Sequence, residues 1–267
     1  GIDKQVLSHQ SPGSQRLPDD LAIGACREVN DALARVIAQR PDRFDGFAML
    51  PTNLPEAAAD ELSRAVLEKG LKGAMIHGMN HGEFLDLPFY WPIFARAEEL
   101  DVPIYIHPSL PDKTVTERYY APYDQTHFMM TRAAWGFGIE AGTQVVRLIL
   151  SGLFEKHPNL KILIGHLGEA IPFWLDRIDE SFSRPGNPPS HFGEVFRRNF
   201  WITTSGFFSD AALRCSLDQV GLDRILFAVD YPYANSKTGV DWLKGTDLSR
   251  AQKTQIFSGN ARRLLKM

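Results

Sequence analysis

Histidines and carboxylates stand at the ends of apolar runs in this sequence. LKILIGHLGE, residues 160–169, is an aliphatic run that closes on His166 and, three residues on, Glu169. VPIYIHP (102–108) closes on His107, LKGAMIH (71–77) on His77 and RILFAVD (224–230) on Asp230, while His9 follows the first apolar run. A buried strand gains nothing from an ionisable end, because an unpaired buried polar group is costly. Such groups are either solvated at a rim or used in chemistry. Neutral imidazole and carboxylate oxygen are good ligands for a divalent transition metal, and His107 with Asp230 supplies one of each from well-separated strands.

Groups of this kind need elements that converge. Short β-branched or aromatic runs alternate with longer helical patterns from end to end, the sequence form of repeated βα units. Strands are predicted at 2–8, 43–50, 71–77, 102–108, 160–166, 200–206 and 224–230. Helices are predicted between them, as at 20–40, where Leu21, Cys26, Val29, Leu33 and Val36 fall at helical spacing, and at 55–70, closed by Gly70. Residues 109–158 depart from the unit. An insert at about 109–135, opening SLPDKTVTERYYAPYDQ and carrying Tyr119, Tyr120, Phe128 and Trp135, leads into one extended helical run; inserts of that size are usually functional.

No linker, repeat or low-complexity segment divides the chain, which predicts one domain over 1–267. No G-x-G-x-x-G follows the first strand, so a dinucleotide-binding sheet is not indicated. The economical reading is an α/β fold, a TIM (β/α)8-type barrel with seven of its eight βα units present and the first absent from this sequence. Catalytic groups of such a barrel gather at the C-terminal ends of its strands, the positions of Ser8, His9, Pro51, His77, His107, His166, Thr204, Ser205 and Asp230. A catalytic metal takes about three protein ligands and keeps an open position, so the remaining ligands are expected from the missing unit.

Plainer readings compete at each position. His9 and His77 read equally as hydrogen-bonded rim residues, Asp230 as the cap of the turn that follows it, and His166 with Glu169 as a helix start whose glutamate the helix dipole favours. His107 is harder to explain away, since an apolar strand that admits one imidazole gives up burial for it. Two patterns are set aside. His77 and His81 are four apart, but HGMNHG will not hold a helical turn, and Glu155-Lys156-His157 precedes its strand and so belongs to the opposite end of the barrel.

Composition narrows the partners. A net charge of −3 with both signs interspersed argues against nucleic acid and against a basic membrane face, and no apolar run reaches the roughly 18 residues of a membrane span. Cys26 and Cys215 lie far apart without C-x-x-C spacing, which fits a reducing cytoplasm. A small molecule is the expected partner.

The set IYIHP, ILIGHLGE, WITTSGFF and ILFAVDYPY, in that order and spacing, resembles the amidohydrolase-2 branch of the amidohydrolase superfamily. Within it the chain is most similar to the non-oxidative aromatic-acid decarboxylases acting on γ-resorcylate (2,6-dihydroxybenzoate), 2,3-dihydroxybenzoate and 5-carboxyvanillate. The resemblance covers essentially the whole chain. It implies a carboxy-lyase that takes a small aromatic carboxylate, one divalent metal (zinc or manganese), and a homodimer or homotetramer. It also implies roles: His107 and Asp230 as metal ligands, Asp230 also shuttling a proton; His166 facing the substrate, its tautomer held by Glu169; Phe137 and His77 lining the substrate. The family's E-x-H or H-x-H pair lies on a first strand some tens of residues before a segment like GIDKQVLS, where this sequence begins. The loss of that N-terminal unit from the sequence is the favoured reading. A lactone or ester hydrolase built on the same ligands, and a non-catalytic barrel that binds a ligand or partner, are the alternatives.

Overall fold

The computed structural model describes residues 1–188 and 190–267. All seven predicted strands form, each shorter than expected: β1 (Gln5–Leu7), β2 (Phe44–Gly46), β3 (Ala74–His77), β4 (Ile104–His107), β5 (Ile162–Ile164), β6 (Phe200–Thr203) and β7 (Ile225–Leu226). They run parallel and in sequence order. β1 pairs with β2, β3 to β7 form one ladder, and a parallel bridge from Ala48 to Ala74 joins the two. The crossovers are helices α1 (Asp19–Gln39), α2 (Pro55–Leu67), α3 (Trp91–Glu99), α4 (Gly136–Leu150), α5 (Ile171–Phe182), α6 (Phe192–Asn199) and α7 (Asp210–Val220), and α8 (Ser236–Gly245) follows the last strand. This is the architecture of a TIM barrel, with β1 and β7 at the two ends of the arc among the described residues.

Strand parity decides what faces where, because side chains alternate between the two faces. Met75, Tyr105, Leu163 and Trp201 stand in register across β3 to β6 and pack, with Phe47 and Leu226, into the inner cluster. Their successors Ile76, Ile106, Ile164 and Ile202 face the helices and join the larger core with Leu62, Phe94, Leu148 and Phe196. The next residues return to the inner face. His77 and His107, again in register, therefore close the barrel interior at its C-terminal end.

Two expectations need correction. The buried face of α1 is Ala22, Cys26 and Asn30, with Leu33 and Ile37 packed beside it, whereas Leu21 and Val36 are exposed. The apolar pattern misplaces the stripe because its centre is polar: Asn30 donates to the Met49 carbonyl and to Glu61, and accepts from the Met49 amide. The run after the insert is not one helix. It breaks at Gly152, whose φ of 86° separates α4 from the short turn Leu153–Lys156. The insert itself is a series of short helical turns between Lys113 and Thr131 that buries Tyr120 but leaves Tyr119, Phe128 and Trp135 exposed. No helix among the described residues is long and apolar enough to cross a membrane.

Candidate active site

The imidazoles of His77, His107 and His166 form a file across the C-terminal rim. His77 and His107 meet edge to face at 4.9 Å between ring centroids, and His107 and His166 at 6.3 Å. His77 is buried; its Nε2 donates to the His9 carbonyl at 2.9 Å, which leaves Nδ1 buried without a hydrogen-bond partner. His9 thus enters the rim through its backbone. His107 donates from Nδ1 to the Pro108 carbonyl at 2.7 Å, so its Nε2 carries the lone pair. His157 sits elsewhere, bonded to Glu98 at 2.9 Å where the chain approaches β5, at the other end of the barrel as expected.

His166 and Glu169 are not the start of a right-handed helix. Residues 166 to 170 all have positive φ, from 49° at His166 to 90° at Gly168, and the Gly168 amide donates to the Gly165 carbonyl at 2.7 Å. A left-handed turn of this length is disfavoured by about 1–2 kcal/mol for each residue bearing a β-carbon, and persists only where its surroundings over-determine it. Here the turn is wedged against α5: a β-carbon at Gly168 would lie 2.7 Å from Pro172 Cδ. Its effect is to fold Glu169 back under the imidazole, Nδ1 of His166 lying 2.5 Å from Oε1 of Glu169. Gly168→Ala combines that clash with a left-handed backbone. It is expected to lower the unfolding free energy by at least about 1–2 kcal/mol, read as an earlier midpoint in urea; an unchanged midpoint would show that the turn is not under this constraint.

Asp230 also has a positive φ, 67°. The backbone carbonyl of Asp230, and not its carboxylate, accepts the Tyr233 and Ala234 amides, at 2.8 and 3.1 Å. The carboxylate stays in the site beside Gly206, where a β-carbon would lie 3.5 Å from Oδ2. Burial raises the Asp230 pKa, partly offset by the nearby His166 charge and reinforced by Glu169. Burial alone would lower His166, but the charge and hydrogen bond of Glu169, with Asp230 behind them, outweigh it and raise its pKa above the ordinary histidine value. His107 faces no such pair, and burial brings it down to about 4. One imidazole is therefore held neutral and its neighbour favours the proton. Phe137 stands half-buried in the first turn of α4, beside Gly138, whose missing side chain lets Glu169 Oε2 approach.

A family model described as amidohydrolase matches residues 9–267. The chain belongs to the amidohydrolase family. Among its relatives in that family, γ-resorcylate decarboxylase from Rhizobium sp. (strain MTP-10005) is 38% identical over 279 residues, spanning 100% of this chain and 84% of that protein. The crystal structure of a dihydroxybenzoic acid decarboxylase from Polaromonas sp. JS666, with bound manganese and the inhibitor 2-nitroresorcinol, superposes with a TM-score of 0.92 at 37% identity, covering 100% of this chain and 82% of that one. That of 5-carboxyvanillate decarboxylase from Sphingomonas paucimobilis does so at 0.92 and 37%, covering 100% and 80%.

In this amidohydrolase the donors present fit a divalent metal in kind: His107 has a neutral imidazole with Nε2 free, and Asp230 a carboxylate that its own turn does not occupy. In number they make two. Among the described residues no group of three or more histidines, cysteines, aspartates or glutamates is gathered closely enough to hold a metal ion. Two further features of the site go beyond the sequence reading, which named only Ser205 among their residues. Below the rim, Tyr105 shares hydrogen bonds with Thr203 at 2.8 Å and Ser205 at 3.1 Å, a buried hydroxyl cluster 3.1 Å from where a β-carbon at Gly165 would stand. Glu140 is buried on α4 behind Ser109. The parity of β4 and β6 signals the first. The second leaves a trace as a lone carboxylate in the apolar helix GFGIEAGTQVVRLIL.

Proposed function

We propose that this chain is a metal-dependent, non-oxidative decarboxylase of a hydroxylated benzoate. The observation that carries the reading is the His166–Glu169 pair, held by a left-handed turn beside Asp230 and in file with His107. The decarboxylase names of the similar proteins support the reaction class, and the manganese of the Polaromonas structure supports manganese, with zinc the other metal suited to a His/carboxylate set. His107 and Asp230 are the residues that would hold the ion. When bound, a divalent metal supplies charge stabilisation and orientation for the substrate carboxylate and its ortho hydroxyl.

Loss of CO₂ from an aryl carboxylate needs somewhere for the electron pair to go. Protonating the ring carbon that bears the carboxylate provides it: the new C–H bond forms, the C–C bond breaks, its pair returns to the ring and CO₂ leaves. Asp230, whose carboxyl pKa burial raises, takes that proton from solvent and passes it to the ring carbon. His166, its Nδ1–H fixed on Glu169, presents Nε2 to the substrate. Phe137 lies against the ring and His77 completes the wall. We take residues 1–267 as one domain, supported by a core cluster that runs from Ala48 to Ile256. A homodimer or homotetramer, supported by the aromatics the insert leaves exposed, in a cytoplasm that suits two free cysteines, completes the reading.

The test is incubation of the manganese- or zinc-loaded protein with a panel of dihydroxybenzoates and carboxyvanillate, following substrate loss and CO₂. Release of one CO₂ per substrate consumed is expected. No consumption with either metal defeats the proposal, and ¹⁸O from water in a carboxylate product would make the chain a hydrolase.

A further inference from the structure

Helix α4 carries a polar stripe that is buried at Glu140 and Gln144 and exposed at Arg147. Glu140, Gln144 and Arg147 follow one another by about a turn, and each reaches a segment that leaves β3 or β4. Arg147 donates to both carboxylate oxygens of Asp86 at 3.0 Å, and Gln144 Oε1 accepts the Leu85 amide at 3.4 Å. Glu140 Oε2 accepts the Ser109 amide, two residues beyond His107, at 3.3 Å. Gly78, directly after His77, packs so closely that a β-carbon there would lie 3.1 Å from Glu140 Oε1 and collide with the Ser109 side chain. Glu140 is thus the point where α4, the end of β3 and the end of β4 meet.

The surroundings of that carboxyl are unusual for an ion. Glu140 is buried and its Oε1 has no hydrogen-bond partner. The groups that face it are the Ser109 and Met79 amides and the carboxylate of Glu169. Arg147, two turns along, is engaged by Asp86. A buried carboxylate that meets a second carboxylate and no cation is driven to its neutral form.

We propose that Glu140 is a positioning residue: as a neutral acid on α4 it locks the segments leaving β3 and β4, and so holds the His77 and His107 imidazoles in place for the reaction. The role in the reaction rests on the decarboxylase reading above; the charge state does not. Burial, reinforced by Glu169 and opposed by the two amides, pushes the Glu140 carboxyl up to about 8. Between the ordinary glutamate range and that value the folded chain keeps a proton that the unfolded chain has lost. The folded-to-unfolded ratio therefore falls about tenfold per pH unit across this window, and levels off above it.

Two measurements on the manganese-loaded protein test this. In thermal or urea unfolding from pH 5 to pH 9, Glu140→Gln should lack the decline, so that its stability gains on the parent as pH rises; parallel profiles overturn the neutral acid. In turnover, Glu140→Ala should fall by about 10–100-fold, the scale of losing a partner behind a ligand, and Glu140→Gln should recover most of that loss and move the alkaline limb to higher pH. An alanine variant within twofold of the parent, or a glutamine variant no better than alanine, overturns the positioning role. If the parent itself decarboxylates nothing, the decarboxylase reading fails, and the unfolding profiles still decide the state of Glu140.

Discussion

His166→Asn should lower turnover by about 10²-fold or more while the protein stays folded. The loss is the scale of a removed acid–base or electrostatic group. The survival of the fold follows from the backbone: His166 has a φ of 49°, and asparagine is among the few residues that adopt the left-handed region readily. Its amide also leaves Glu169, buried beneath it, a hydrogen-bond donor of similar size. The pH dependence has a definite sign. Because the His166 pKa is raised by Glu169 and Asp230 against burial, the stabilisation from this pair is complete below the ordinary histidine pKa and is lost as pH rises through the higher folded value. The asparagine variant should lose that dependence. Glu169→Gln should cost less than His166→Asn, acting through the imidazole's tautomer and basicity. Single-turnover rates and urea melts of the variants decide the matter. An unfolded His166→Asn, or a rate within a few-fold of the parent, would remove His166 from the mechanism.

Asp230→Asn should be the more severe change. Its backbone is again left-handed, at a φ of 67°, so the asparagine should be accommodated and the turn amides, which bond to the backbone carbonyl, should be unaffected. What disappears is a charge. Metal affinity should fall by more than the roughly 10–100-fold that follows loss of an outer partner, and turnover should fall at least as far as in His166→Asn. The His166 pKa should fall too, because Asp230 is one of the two groups that raise it. Manganese content after dialysis and the gain in melting temperature on adding manganese separate the two roles. Retained metal with lost turnover would leave Asp230 only the proton transfer; retained turnover would remove it from the site.

Much of the site was readable from one sequence because it lies where local rules are strong. Apolar runs of strand length located all seven strands, and the rule that barrel chemistry sits at C-terminal strand ends put His77 and His107 on one rim before any contact was known. Register then brought the two rings into contact. The same kind of rule was weaker for α1. There a buried asparagine, satisfied by Met49 and Glu61, broke the apolar stripe, and hydrophobic spacing has no term for a polar group whose partners lie nineteen and thirty-one residues away.

The turn from His166 to Ala170 shows what local rules leave undecided. HLGEAIPFW reads as a helix start because each residue but Gly168, taken alone, prefers right-handed backbone. The left-handed path is imposed from outside: Gly168 is pressed between Pro172 and Ile202, and the Leu167 carbonyl accepts from Ser216 on α7. Glu140 is a similar case, since a glutamate on a helix is ordinary until Ser109, thirty-one residues away in the chain, closes over it. From residue types and periodicity alone came the barrel, the rim and a His/carboxylate set suited to a metal, and from the family resemblance the decarboxylase reading. Which backbone is strained to fold Glu169 under His166 and which acid is buried beneath the site depend on groups distant in sequence but adjacent in space, and these the tertiary structure decided.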